Sequence, residues 1–358
     1  MLGLQPILLE QLILAGRTTL DGAGLLAMTE IVSIGVGAAS ANVLLSRRAL
    51  RTTTALATLV LGLVNALTVG ALSEAWLYPA RVVAGLAGGV LVWLATQAIV
   101  RFRAPERLAG IFLLLQSCAQ AAAAFVLAMW AIPAAGLRGG FFGLALLSLL
   151  PLPLVAWLPQ ELSPHTSKDD GPPPLERRTV GTALVIAFDM AVIGALWTFL
   201  ESLGRGAALP QRPVQLTITS VLLAQVAGAA CASWLGPRLS PRRTLLACHL
   251  ALLLVAAAYL TLPRGNLPWF ITTCAVFGFL WLYMMPFHVK LAFEADPEGR
   301  LAVHVPALQL VGSALGPMTA ALFMEGDTVV RPAYVTGAAY AAVALLLLLV
   351  LTRPARRA

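Results

Sequence analysis

Three residues stand out because their side chains are ionisable and their surroundings are not. Asp189 lies about ten residues into a long apolar stretch, Ala187-Phe188-Asp189-Met190, with no charged neighbour in sequence. Glu30 and Arg81 lie at similar depth in two other apolar stretches. An ionisable group at the centre of a membrane helix costs about 2.5–3.5 kcal/mol on insertion scales, so such groups are kept where they do something. Asp189 is therefore expected to face a cavity and carry a proton or recognise a cation, with a buried hydrogen-bonded carboxylate as the plainer alternative. Glu30 and Arg81 are expected to pair, either as a proton-releasing couple or as a permanent structural ion pair. Burial raises a carboxyl pKa and a nearby guanidinium lowers it, so both outcomes are chemically open.

Other polar residues form a second rank. Glu201, twelve residues beyond Asp189, falls near a membrane face, where interfacial solvation accounts for it. Trp281 and Tyr283 could wall a cavity or face lipid. Gln116, Gln120 and Gln309, with Gln97 and Gln225, could line a polar cavity or hydrogen-bond between helices. His249 and His304 fall close to helix ends, where placement is cheap. His288 and Lys290 follow Pro286 and are expected to end a helix, with Lys290 snorkelling to the headgroups.

The elements that position these residues follow from composition. Of 358 residues, 11 % are charged and 59 % hydrophobic. Soluble domains carry roughly 25 % charged residues, so this chain could not cover a water-facing surface. A bilayer core about 30 Å thick needs roughly 20 apolar residues per helix. Segments of that kind occupy about 23–45, 53–72, 77–100, 108–132 and 141–158, then 179–203, 214–235, 244–262, 269–291, 301–324 and 329–351. That predicts an all-α polytopic membrane protein with eleven full spans. A twelfth segment, about residues 4–15, is too short to cross alone: either the opening half of this helix is missing or the helix is shortened. The runs are continuous and rich in Leu and Ala, unlike alternating barrel strands. Residues 159–178, containing Gly171-Pro172-Pro173-Pro174, read as a cytoplasmic linker. It separates an N-terminal bundle, 1–158, from a C-terminal bundle, 179–358.

The basic residues orient the spans. One face receives Arg47, Arg48, Arg51, Arg101, Arg103, Arg107, Lys168, Arg177, Arg178, Arg238, Arg242, Arg243, Arg300, Arg353, Arg356 and Arg357. The other receives Arg17, Arg138, Arg205, Arg212, Arg264 and Arg331. The richer face should be cytoplasmic, which puts the C-terminus there, in a cell (inner) membrane. The net charge of +8 is then mostly a rim of arginines. No Lys/Arg tract is interleaved with aromatics, so nucleic acid is not an expected partner. Cys118, Cys231, Cys248 and Cys274 all fall in apolar segments with no CxxC pair, and imply neither a disulfide nor a metal site. No GxxxxGK[ST], HExxH or GxSxG string occurs, and no cofactor or catalytic residue is expected.

The two halves share a motif. The second helix of each runs into a short basic loop, Asn42–Arg51 in one and Ser233–Arg243 in the other, with Arg47 and Arg51 matched by Arg238 and Arg242. A further helix carries Arg81-Val-Val-Ala-Gly85-Leu-Ala-Gly88-Gly89, and a turn reads Asp296-Pro297-Glu298-Gly299-Arg300. With these motifs in register, the chain resembles the major facilitator superfamily over essentially its whole length. The loops are similar to the family's G-x-x-x-D-R-x-G-R-R, the helix to its R-x-x-x-G, and the turn to its D-x-x-G-R. The resemblance departs at the loop acid, which is Ser46 in one copy and Pro237 in the other. It also departs at Gln116–Phe125, where the drug–proton antiporter string G-x-x-x-G-P is absent. What the resemblance implies is a monomeric secondary transporter with two pseudo-symmetric six-helix bundles. It would move a small organic solute by alternating access, driven by protons. The alternative is a transporter-like protein that binds or senses a ligand without moving it.

Overall fold

The computed structural model describes residues 2–45, 49–70, 73–99, 105–161, 176–324 and 330–351. The chain divides into two compact units, residues 1–167 and 168–358. Among the described residues every long element is a helix. The first unit contains α1 (Gln5–Leu14), α2 (Leu20–Leu44), α3 (Leu50–Thr68), α4 (Glu74–Ile99), α5 (Pro105–Val126) and α6 (Ile132–Leu149). The second contains α7 (Arg177–Thr198), the short α8 (Leu200–Gly206), α9 (Gln211–Leu235), α10 (Pro241–Leu260), α11 (Leu267–Ala295), α12 (Arg300–Ala321) and α13 (Arg331–Leu351).

Nine stretches of the described residues are long and apolar enough to cross a membrane, one of them running from Ile111 to Trp157 through both α5 and α6. Within that stretch a π-helical turn at Leu127–Ala131 leads into Gly136, whose φ of 52° and ψ of −129° break the helical run. A non-glycine residue is strained there. Large apolar side chains also cover the outside: Leu254 is 72 % exposed and Trp76 69 %. Such a surface is stable against lipid and unstable against water. α1, ten residues long, is buried along nearly its whole length.

The two units repeat one neighbour pattern. In the first, α2 packs on α4, α3 on α4 and α6, and α1 on α6. In the second, α9 packs on α11, α10 on α11 and α13, and α7 on α13. Skipping the short α8, these are the same positions in a six-helix order.

Glycines set the closest of these pairs. A Cβ on Gly89 of α4 would lie 2.2 Å from the Ile34 carbonyl oxygen of α2, and one on Gly85 would lie 2.6 Å from that of Glu30. On α12, Gly312 and Gly316 press equally hard on the carbonyls of Ala187 and Ala191 of α7. Gly228 of α9 meets the Phe279 carbonyl of α11 in the same way. This is the small-residue packing that lets membrane helices touch backbone to backbone. Gly88 is different, since its Cβ would meet only Ile34 Cγ1 at 3.7 Å. Gly89→Ala should therefore lower the thermal stability of the purified protein by about 1–3 kcal/mol. Gly88→Ala, one residue away on the same helix, should be close to neutral in the same melting experiment.

Candidate functional site

Asp189 sits on α7, 0 % exposed, with four helices converging on it. Nε2 of His249, from α10, abuts its Oδ1. Nε2 of His288, from α11, lies 2.9 Å from its Oδ2. The far ring nitrogen of each histidine is also engaged. Nδ1 of His249 is 2.5 Å from the Leu245 carbonyl oxygen, and Nδ1 of His288 is 3.1 Å from the Gln309 amide nitrogen on α12. Gln309 also reaches the Met285 sulfur at 3.1 Å. Both histidines are fully buried.

These partners fix where the protons are. A carbonyl only accepts, so Nδ1 of His249 carries a hydrogen and donates it to Leu245. The Gln309 amide nitrogen only donates, so Nδ1 of His288 accepts, and its Nε2 carries the hydrogen donated to Asp189. One position is then left to decide, the line between His249 Nε2 and Asp189 Oδ1. With both groups deprotonated, two lone pairs would face each other at contact distance in a medium with little screening. A proton shared between them would make either an aspartate–imidazolium pair or a carboxylic acid on a neutral imidazole. Asp189 thus lies between two imidazoles, one against each carboxylate oxygen.

The sequence singled out Asp189 but misplaced both histidines. His249 is eight residues from the start of α10, about 12 Å along the helix. Its span begins earlier than hydropathy alone suggests, so a residue expected at the interface lies two turns inside. His288 was expected at a helix end, yet α11 continues through Pro286 to Ala295. Lys290 consequently does not reach for headgroups. It donates to the Gly236 and Leu239 carbonyls at 2.7 and 3.1 Å, tying the α9–α10 loop to α11.

Glu30 and Arg81 come together in the first unit, with Nη1 of Arg81 3.5 Å from Glu30 Oε2. The guanidinium is held from two further helices. Its Nη1 donates to Asn65 Oδ1 at 3.2 Å and its Nη2 to Thr68 Oγ1 at 2.5 Å, both on α3. Its carbon lies 5.6 Å from the Phe141 ring centroid of α6. Asn65 in turn donates to Ser148 of α6 at 3.3 Å. The pair is thus a node joining α2, α3, α4 and α6.

The remaining candidates divide. Glu201 is buried at 2 % exposure and accepts from Gln215 Nε2 at 2.7 Å, which corrects the expectation of a solvated interfacial carboxylate. Glu201 lies on α8, which packs against α9. Trp281 is buried at 8 %, edge-on to Trp197 at 5.4 Å and near Phe277, so it belongs to the interior of the second unit and not to the lipid face. Tyr283 is half-buried and stacks on Phe279. Gln116 points outward, while Gln120 lies half-buried against Gly3. His304 is exposed.

Of the loop motifs, Arg47 lies outside the described residues. Arg51 donates through Nε to the Leu158 carbonyl. Arg238 donates to the Trp234 carbonyl at 3.1 Å, and Nε of Arg242 is 3.3 Å from Glu294 Oε2. The turn at 296–300 forms as its residue types require. Gly299 is left-handed at φ 81°, its N–H donates to the Asp296 carbonyl at 2.9 Å, and Asp296 Oδ2 accepts from the Leu301 N–H at 3.0 Å. Arg300 reaches both Asp296 and Glu298. Among the described residues no group of three His, Cys, Asp or Glu has a metal-holding arrangement.

This is the fold of major facilitator superfamily transporters, multi-pass membrane proteins. The structure of the nucleoside transporter NupG superposes with a TM-score of 0.71 at 10 % identity, covering 99 % of this chain and 96 % of that one. A D-xylose–proton symporter gives 0.70 at 13 % identity, covering 97 % and 94 %. A bacterial homologue of the human lysosomal transporter Spinster, inward-facing and occupied, gives 0.69 at 14 %, covering 98 % and 93 %. No protein-family model and no curated protein sequence matches the chain.

The buried Glu30–Arg81 pair predicts different costs for its single and double variants. Arg81→Gln leaves the Glu30 carboxylate buried without its counter-charge and should destabilise by about 3–5 kcal/mol. The double variant Glu30→Gln/Arg81→Gln removes both charges and should recover much of that loss in the same denaturation experiment.

Proposed function

We propose that this protein is a secondary transporter, and not an enzyme, that moves a small organic solute by alternating access with protons as the coupling ion. The observation that carries the reading is the fully buried Asp189 with an imidazole against each of its oxygens. α7, α10 and α11 bring Asp189, His249 and His288 together, and Gln309 of α12 contacts His288. Proton gain and loss there changes whether α7 and α10 can stay in contact, which is the link a proton-driven conformational cycle needs. Asp189 and His249 hold the proton. His288 and Gln309 position the carboxylate, Gln309 by fixing the tautomer of His288.

A nucleoside transporter and a D-xylose–proton symporter among the similar structures support a polar organic solute and proton coupling. The arginine count supports an inner-membrane orientation with the C-terminus cytoplasmic, the protein working as a monomer in the lipid bilayer. Glu30 and Arg81 are assigned a structural role, because the guanidinium is held by Asn65, Thr68 and Phe141 as well as by the carboxylate.

The test uses proteoliposomes containing a pH-sensitive dye and a panel of pentoses and nucleosides. Solute added to the wild type should draw protons with it and accumulate against its gradient. Asp189→Asn should reduce proton movement to that of empty vesicles while solute exchange at equal concentration persists. Glu30→Gln should keep proton-coupled accumulation. Undiminished proton movement in Asp189→Asn would remove this carboxylate from the cycle. Binding of a solute without exchange in the wild type would favour a receptor.

A further inference from the structure

Two of the six arginines on the sparsely charged face, Arg264 and Arg331, lie together at one end of the second unit. They line a cavity of about 320 Å³ formed by α8, the end of α10 and the start of α13, with Tyr259 and Tyr334 among its walls. A second cavity, of about 590 Å³, runs between α12 and α13 on the other side of Arg331. Its walls are Phe323, Pro332, Val335, Ala339, Thr319 and Tyr340, so it is almost wholly apolar. Arg331 belongs to both. Among the described residues no carboxylate lines either one.

Dimensions decide what fits. From Arg331 to Tyr340 is nine residues of continuous helix, about 13–14 Å at 1.5 Å per residue. A hydrocarbon core about 30 Å thick gives each leaflet about 15 Å. The apolar groove is thus as long as one leaflet is deep, with its open side toward lipid: Phe323 is 68 % exposed and Val335 49 %. Its inner end is closed where Tyr340 donates to Thr319 Oγ1 at 3.1 Å. At its outer end two guanidiniums, both exposed, face a polar pocket, and guanidinium matches phosphate oxygens in pairs.

We propose that this paired cavity is a binding site for an acidic phospholipid. The phosphate lies across Arg264 and Arg331, and an acyl chain lies in the α12–α13 groove. An acidic lipid is favoured over a zwitterionic one because the described lining offers two positive charges, Arg264 and Arg331, and no described carboxylate to receive an ammonium. The site also accounts for two arginines on the face that the charge distribution otherwise keeps poor in them.

The test is native mass spectrometry of the detergent-purified full chain, with phosphatidylglycerol, phosphatidylcholine or inorganic phosphate added in turn. Phosphatidylglycerol should be retained in preference to phosphatidylcholine. Arg264→Gln/Arg331→Gln should weaken that retention about thirtyfold, taking about 1 kcal/mol for each basic residue at an acidic surface. Arg264→Lys/Arg331→Lys should keep most of it, and its melting temperature without lipid serves as the folding control. Ala339→Trp fills the groove, leaves both arginines, and should also abolish lipid retention. Equal retention of the two lipids would overturn the proposal, as would unchanged retention in Ala339→Trp. Full competition by inorganic phosphate would reassign the pocket to a free anion.

Discussion

A carboxylate far from water must find its counter-charge inside the protein, and in the second unit that requirement organises everything near Asp189. α7 brings the acid, and α10 and α11 each bring an imidazole. α12 supplies the amide that turns one imidazole the right way round. Each of these contacts is polar, and each lies where the surrounding residues are Leu, Val, Ala and Phe. With water excluded, such a cluster is strong when complete and costly when one member is missing. That combination makes it both a structural tie and a switch.

The polar cluster could not form without close backbone approach. Gly312 and Gly316 let α12 lie directly on the carbonyls of α7, two residues either side of Asp189, and this is what brings Gln309 within reach of His288. In the first unit Gly85 and Gly89 do the same for α4 on α2, placing Arg81 beside Glu30. One device serves two clusters with different ends. The Glu30–Arg81 pair is braced on several sides by hydrogen bonds and a ring. The Asp189 cluster is held instead by two ionisable imidazoles, one against each carboxylate oxygen.

The architecture was largely legible in the residues. Runs of about twenty apolar residues mapped onto helices, and the isolated acids onto buried clusters. The Glu30–Arg81 contact was readable because both charges lay at equal depth. What could not be read was tertiary. His249 and His288 look peripheral along the chain, since hydropathy fixes neither where α10 starts nor that α11 runs on through Pro286. Glu201 looked solvated because nothing in its sequence says that α8 packs against α9. Neither Trp281 nor Gln116 carries a local signal for the direction in which it points. In each case the missing information is which face meets a neighbour, and a continuous apolar run, hydrophobic all round, leaves no stripe to read it from.

Lys290 leaves its mark on how the chain can change over generations. It grips the α9–α10 loop through the carbonyls of Gly236 and Leu239, groups that every residue type possesses. Attachment made through backbone atoms does not inspect the side chains of the loop it holds. The loop's own letters are thereby released from much of their duty. A loop held in this way can vary in sequence while its junction with α11 stays mechanically intact.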